Sequence, residues 1–123
     1  LDRLATARVD GDAGVITYTQ FLSERGRLEA DLTITKLPLP NPFASSRQPS
    51  FLVVATDTAH RHVESMLNRG IGERELAVVT DVSGGLAQIN LQGPRARSVL
   101  GALTGADVSD GAFPFRAARQ IDI

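Results

Sequence analysis

Near the N-terminus, polar and apolar residues alternate in two neighbouring stretches, and the pattern predicts a pair of β-strands. In the second stretch Leu28, Ala30, Leu32 and Ile34 are apolar, while Arg27, Glu29, Asp31, Thr33 and Thr35 are polar, a period of two. The even positions should face a core and the Asp31 row should face outward. The first stretch is less regular, with Val15, Thr17, Thr19 and Phe21 on one side and Ile16, Tyr18, Gln20 and Leu22 on the other. Ser23-Glu24-Arg25-Gly26 separates the two as a turn ending in glycine, so residues 15–37 read as a β-hairpin. A four-residue loop centred between Glu24 and Arg25 sets Tyr18 directly opposite Asp31, with Cβ atoms roughly 5 Å apart. A slip of one residue would give Asp31 a different partner. A solvent-facing carboxylate that binds nothing also satisfies the alternation.

Beyond the hairpin, punctuation residues divide the chain. Asp10-Gly11-Asp12-Ala13-Gly14 is a loop, and four of the six prolines fall within residues 38–50, an irregular connection. Phe51–Ala55 is a short apolar run that fits a buried strand. Asp57 or Thr58 can cap a following helix, in which Ala59, Val63, Met66 and Leu67 form one apolar stripe and Gly70 ends the run. Leu76–Val82 and Leu86–Leu91 read as further strands around a Gly84-Gly85 turn. Pro94 opens a second helix carrying Ala96, Val99, Leu100 and Leu103. Phe113-Pro114-Phe115 brackets the end of the core, and Arg119–Ile123 alternates like a last strand. Hairpins outnumber β-α-β units, which predicts an α+β fold: a mainly antiparallel sheet with two helices packed on one face, in one domain over residues 1–123.

Composition narrows the function classes. Thirteen basic and fourteen acidic residues give a net charge of −1. Without a basic cluster, binding to nucleic acid through its backbone has no electrostatic footing. The chain has no cysteine, which excludes disulfides, thiolate nucleophiles and cysteine-held zinc. No apolar run approaches the ~20 residues that cross a bilayer. Leu1-Asp2-Arg3-Leu4-Ala5 is no signal-peptide core, and a chain stopping in mid-pattern at Ile123 suggests a piece of a longer polypeptide.

Few side chains offer chemistry. His60 and His62 are two apart on a predicted helix and point away from each other, so a shared metal is not expected and a solvated surface is. No G-x-G-x-x-G occurs, so flavin or nicotinamide would need another segment. Leu91-Gln92-Gly93-Pro94 turns a strand into a helix, and Glu24, Arg25, Arg95 and Arg97 read as solvated charges.

The ordered set Tyr18, Leu22-Ser23-Glu24-Arg25-Gly26-Arg27-Leu28-Glu29-Ala30-Asp31-Leu32-Thr33-Ile34, Phe51-Leu52-Val53-Val54, Val82-Ser83, Leu91-Gln92-Gly93-Pro94-Arg95-Ala96 and Phe113-Pro114-Phe115 resembles the folate-binding domain of the glycine-cleavage T-protein (aminomethyltransferase) family. The wording is closest to the branch fused to flavin-dependent dimethylglycine and sarcosine dehydrogenases, and it runs from about residue 9 onward. The resemblance implies a tetrahydrofolate-dependent aminomethyl or methylene transferase, with FAD in a domain outside this segment. It places the family's functional carboxylate on Asp31 and its hairpin tyrosine on Tyr18. Pterin contacts fall on Thr33 and Thr35, and a polar position after the third strand falls on Thr56. The implied partners are folate and an iminium derived from an N-methyl amino acid, in bacterial cytoplasm or mitochondrial matrix.

The residue types suit that chemistry. A carboxylate near a cationic iminium can stabilise charge or accept a proton, and a neutral phenol can contact a pterin without adding charge. A segment holding only part of the cleft is expected to be inactive alone, and exposed strand edges are expected to favour dimers. The contrasting expectation is a non-catalytic accessory protein of the same fold, similar to the regulatory subunit of a pyruvate dehydrogenase phosphatase.

Overall fold

The computed structural model describes residues 1–38 and 49–123, so most of the proline-rich stretch expected over 38–50 lies outside the described residues. Two compact units, Leu1–Asp81 and Val82–Ile123, make up the chain. The first contains strands β1 (Ile16–Leu22), β2 (Leu28–Lys36) and β3 (Phe51–Ala55), followed by helix α1 (His60–Arg69). The second contains one short helix, α2 (Ala96–Gly101). A three-stranded antiparallel sheet in the order β1-β2-β3, together with two helices, makes this an α+β fold.

The hairpin forms as its alternation predicts, but its register differs. Tyr18 pairs with Thr33, and Asp31 pairs with Gln20. Two local features cause the difference. The Ser23 carbonyl accepts from the Gly26 N–H at 2.9 Å, and the Ser23 N–H donates to the Arg27 carbonyl at 2.9 Å. The loop is therefore the three residues Glu24-Arg25-Gly26, with Gly26 supplying the left-handed φ of 73° that such a loop demands. Next, Leu22 pairs with Leu28 whereas Phe21 pairs with Ala30, which leaves Glu29 unopposed as a bulge. Each feature moves the pairing by one residue. Together they move it by two, and a two-residue shift returns every side chain to its original face.

One face of this sheet carries the core. Phe21, Ala30, Leu32 and Ile34 are buried and cluster with Val63 and Met66 of α1 and with Val9. The predicted stripe on α1 is the one that packs, since Ala59 and Leu67 flank the same cluster. Leu28, expected in the core, is 63% exposed, because the Glu29 bulge breaks the alternation and turns it to the outer side with its partner Leu22. β3 is only half-buried, not enclosed, since among the described residues it pairs with β2 alone. Neither Asp57 nor Thr58 caps α1 by a side-chain hydrogen bond. A 3₁₀ turn over Asp57–Ala59 leads into the helix instead.

The histidines are engaged rather than merely solvated. His62 Nε2 lies 2.8 Å from Glu29 Oε2, and His60 Nε2 lies 3.1 Å from Asp81 Oδ2. Partly exposed pairs of this kind are each worth roughly 0–1 kcal/mol, whereas fully burying a side chain such as Val63 or Met66 contributes about 1.5–3 kcal/mol. Apolar burial therefore holds α1 to the sheet. Residues 1–10 are tied down in the same unit by charge. Arg3 reaches Glu75 at 2.7 Å and Lys36 reaches Asp10 at 2.6 Å. Contact with Lys36 lowers the pKa of Asp10, and the Gly72 N–H, then Arg3, lowers that of Glu75.

The strands expected over Leu76–Val82, Leu86–Leu91 and Arg119–Ile123 are absent. Their apolar residues are largely exposed, with Leu76, Val78, Ile89 and Ile123 above 80%. Alternation reports which way side chains prefer to point, but a strand also requires a neighbouring backbone, and the described residues supply none here. Within the second unit, Arg97 is no free surface charge. It donates to the carbonyls of Val108 and Phe113 and pairs with Asp110 at 2.9 Å. Phe113 lies beneath Arg97 and Arg119, each 6.0 Å from the ring centre, while Phe115 is 92% exposed and closes no core.

Substitution of Phe21 by Ala should cost about 3–5 kcal/mol in denaturant unfolding, because a fully buried aromatic leaves a cavity. Leu76→Asp, at a fully exposed position, should stay within about 0.5 kcal/mol of the parent chain.

Candidate functional site

The sheet face opposite the core carries the chemistry. Antiparallel pairing puts its side chains in rows across the strands. One row is Tyr18, Thr33 and Val54, and the next is Ile16, Thr35 and Leu52. The third is Gln20 and Asp31, beyond the end of the β2–β3 ladder at Leu32 and Ala55. Four of the five residues singled out from the sequence (Tyr18, Asp31, Thr33 and Thr35) thus occupy one side of one sheet, and Thr56 lies just beyond the end of β3. Adjacent strands lie about 4.8 Å apart, so each row spans about 10 Å.

Exposure grades across these rows. Tyr18 is 61% exposed, Asp31 and Thr56 are exposed, and Thr33 is half-buried. Thr35 is buried at 6%, between Ile16 and Leu52. The open part of the face is therefore the Asp31 and Tyr18 rows, and the Thr35 row is its closed end. Thr56 Oγ1 stands 3.4 Å from Thr58 Oγ1, just where the chain leaves the strand.

Asp31 forms no ion pair among the described residues. Its neighbours are neutral hydrogen-bond donors. The Gln20 side-chain N–H donates to Asp31 Oδ1 at 3.4 Å. Contact with the Asp31 carboxylate raises the pKa of the Tyr18 phenol above its usual 10.0, and contact with the Gln20 amide acts in the opposite direction. A carboxylate with no cationic partner keeps its capacity to stabilise an incoming positive charge, which a salt-bridged one would already have spent. An aromatic face and a short hydroxyl lie one row away. The arrangement can cradle a flat, hydrogen-bonding ring and place a carboxylate at its edge.

Sequence reasoning did not single out Gln20 or Val54, although both share this face. The signal for Gln20 was present in Gly26, since a three-residue loop ending in a left-handed glycine already moves the pairing away from Tyr18 and Asp31. The bulge at Glu29 carries no such mark in the sequence. It does have a visible consequence: the unopposed Glu29 reaches α1 and binds His62.

Over residues 1–123 the chain matches the family described as the GCVT N-terminal domain. The chain belongs to that family. Among similar proteins, 4-methylaminobutanoate oxidase (formaldehyde-forming) of Paenarthrobacter nicotinovorans is 33% identical over 119 residues, 97% of this chain and 13% of that protein. Mitochondrial sarcosine dehydrogenase of Mus musculus is 35% identical over 121 residues, covering 93% of this chain and 13% of the relative. Mitochondrial dimethylglycine dehydrogenase of Mus musculus is 31% identical over 122 residues, covering 95% and 12%. This GCVT N-terminal domain thus spans about an eighth of the length of the relatives it matches. No solved structure matches it. Among the described residues no helix is long and apolar enough to cross a membrane.

Tyr18 is the only tyrosine of the chain and there is no tryptophan, so absorbance at high pH reports this phenol alone. Ionisation should set in above the pH at which a free tyrosine ionises, and Asp31→Asn should bring it back down. The raised value means that the Tyr18–Asp31 contact favours the folded chain fully below pH 10 and loses its effect as the phenol ionises. A titration that Asp31→Asn leaves unmoved would show that the two groups do not interact.

Proposed function

We propose that this GCVT N-terminal domain contributes the folate-facing carboxylate of a tetrahydrofolate-dependent aminomethyl or methylene transferase. The full-length protein would be linked to flavin-dependent oxidation of an N-methyl amino acid such as dimethylglycine or sarcosine. The observation that carries the reading is the placement of Tyr18, Asp31 and Thr33 on one open sheet face, with Asp31 surrounded by neutral donors. Family membership and the names of the relatives support that reaction class.

The residues present suit a reduced pterin. Its pyrimidine half is flat and its edge carries N–H donors, which match an aromatic-and-hydroxyl surface beside a carboxylate that accepts hydrogen bonds. Tetrahydrofolate, when bound, supplies a nucleophilic amine that takes up a one-carbon unit. Asp31 would act at that amine, stabilising the positive charge that develops during transfer or accepting the proton that leaves. Tyr18 would lie against the ring as a neutral contact, and Thr33 would line the adjoining rung. Thr56, the residue after β3, would contribute a hydroxyl near the end of the face that carries Asp31. Thr35, being buried on the same face, would close one end of the site rather than touch the ligand. Because these groups ride on paired strands, their spacing is fixed before anything binds.

In the full-length protein, Asp31→Asn should lower folate-dependent methylene transfer about 10²-fold or more, the scale on which a positioned acid or base acts. Oxidation of the amine should continue, with formaldehyde released in place of the folate product. Unchanged folate product after Asp31→Asn would instead favour a non-catalytic role for the domain. A ligand resting on one sheet face loses little of its surface to protein, whereas tight small-molecule sites bury 70–90% of theirs. Calorimetry on the 123-residue chain with tetrahydrofolate should accordingly detect weak binding or none, and a tight stoichiometric isotherm would contradict that.

A further inference from the structure

Gln20 stands opposite Asp31 in the hairpin register, and its surroundings hold its side chain in one orientation. Thr19 is 1% exposed, and its hydroxyl accepts the Ala7 N–H at 3.0 Å. Among the described residues the other side-chain partner of the Thr19 hydroxyl is Thr6 Oγ1, 3.2 Å away, and because Thr6 gives its proton to Gln20 the Thr19 hydroxyl is the donor. Thr6 Oγ1 in turn donates to Gln20 Oε1 at 3.1 Å. With its oxygen taken by Thr6, the amide turns its N–H towards Asp31 Oδ1 at 3.4 Å. The reversed amide would set a carbonyl oxygen against the carboxylate and waste the Thr6 donor. The backbone fastens the same place, since the Thr6 N–H donates to the Gln20 carbonyl at 3.0 Å and Ala5 bridges to Phe21.

We infer that Gln20 is a positioning residue for Asp31: a hydrogen-bond chain running from buried Thr19 through Thr6 fixes the Gln20 amide, which orients the carboxylate on the open face. The inference rests on the proposed role of Asp31 and adds to it the element that aims it. Each donor in the chain points the same way, so each strengthens the next, and the last acts on the carboxylate. A neutral amide suits the task better than a cation. It holds one carboxylate oxygen without cancelling the charge that the other must offer to a positive centre. The 3.4 Å separation fits a catalytic contact that shortens when substrate arrives.

The test compares the full-length protein with its Gln20→Met, Gln20→Glu, Thr6→Val and Asp31→Asn variants, using tetrahydrofolate as acceptor and recording rate against pH. Gln20→Met should lower kcat about tenfold, equivalent to one lost orienting hydrogen bond, with the KM for tetrahydrofolate changed less than about threefold. Gln20→Glu keeps the size and the Thr6 contact but sets a second negative charge opposite Asp31. Its acid limb should therefore move to higher pH, because a like charge raises the carboxylate's pKa. Thr6→Val should act in the same direction as Gln20→Met but less strongly. Wild-type kcat and an unmoved acid limb in both Gln20 variants would overturn the inference. If Asp31→Asn abolishes transfer while the Gln20 variants do not, only the positioning role falls. If Asp31→Asn leaves transfer intact, the folate reading itself fails. A measurement on the unaltered chain covers the case in which the variants do not fold. The Gln20 side-chain N–H resonances should shift with pH as Asp31 titrates and should stop doing so in Asp31→Asn, and resonances indifferent to that titration would overturn the inference directly.

Discussion

Everything the candidate site offers depends on the facing of the β1–β2 hairpin. A strand's side chains alternate, so moving one strand by a single residue past its partner exchanges the buried row for the exposed one. Here the three-residue loop and the Glu29 bulge each introduce one such step. The second undoes the facing change made by the first. Phe21, Ala30, Leu32 and Ile34 stay in the core, and Tyr18, Asp31 and Thr33 stay outside it. A hairpin with only one of the two features would bury the carboxylate row or expose the core. The cost of doing either sets the register firmly.

The two faces divide the labour. The apolar face anchors α1 through Val63 and Met66, which makes the hairpin a rigid plate. The bulged Glu29 then reaches across to His62, so the residue that corrects the register also links the sheet to the helix. On the other face, rigidity is put to use. Thr6 and Ala7 run beside β1 and connect the buried Thr19 hydroxyl to the exposed Gln20 amide, joining the two sides at the strand's edge. The placement of an exposed carboxylate is in this way tied to buried structure.

Much of the first unit is legible in the sequence, and what is not has specific causes. Alternation at residues 28–34 gives the hairpin and its facing, and the stripe Ala59, Val63, Met66 and Leu67 gives the helix that covers it. The pairing partner of Asp31 is not legible, because a bulge at Glu29 follows from the fit of both strands and not from any residue preference at that position. Leu28 illustrates the consequence, being apolar in pattern yet exposed. Residues 76–82 form an apolar run and residues 86–91 alternate, but a ladder needs a second backbone, which no pattern within one segment can guarantee. Arg97 fails as a surface charge for the opposite reason. A guanidinium fork finds carbonyl oxygens wherever loops converge, and those loops are invisible in the sequence.

The pairing of the hairpin itself is the most direct test. Through-space NMR contacts between backbone protons of facing residues identify cross-strand partners without reference to ligand or activity. The account predicts that Tyr18 faces Thr33, that Gln20 faces Asp31, and that Glu29 faces no residue of β1. Contacts placing Tyr18 opposite Leu32 or Ile34 would put the phenol and the acid on different sides of the sheet, and the site described here would not exist.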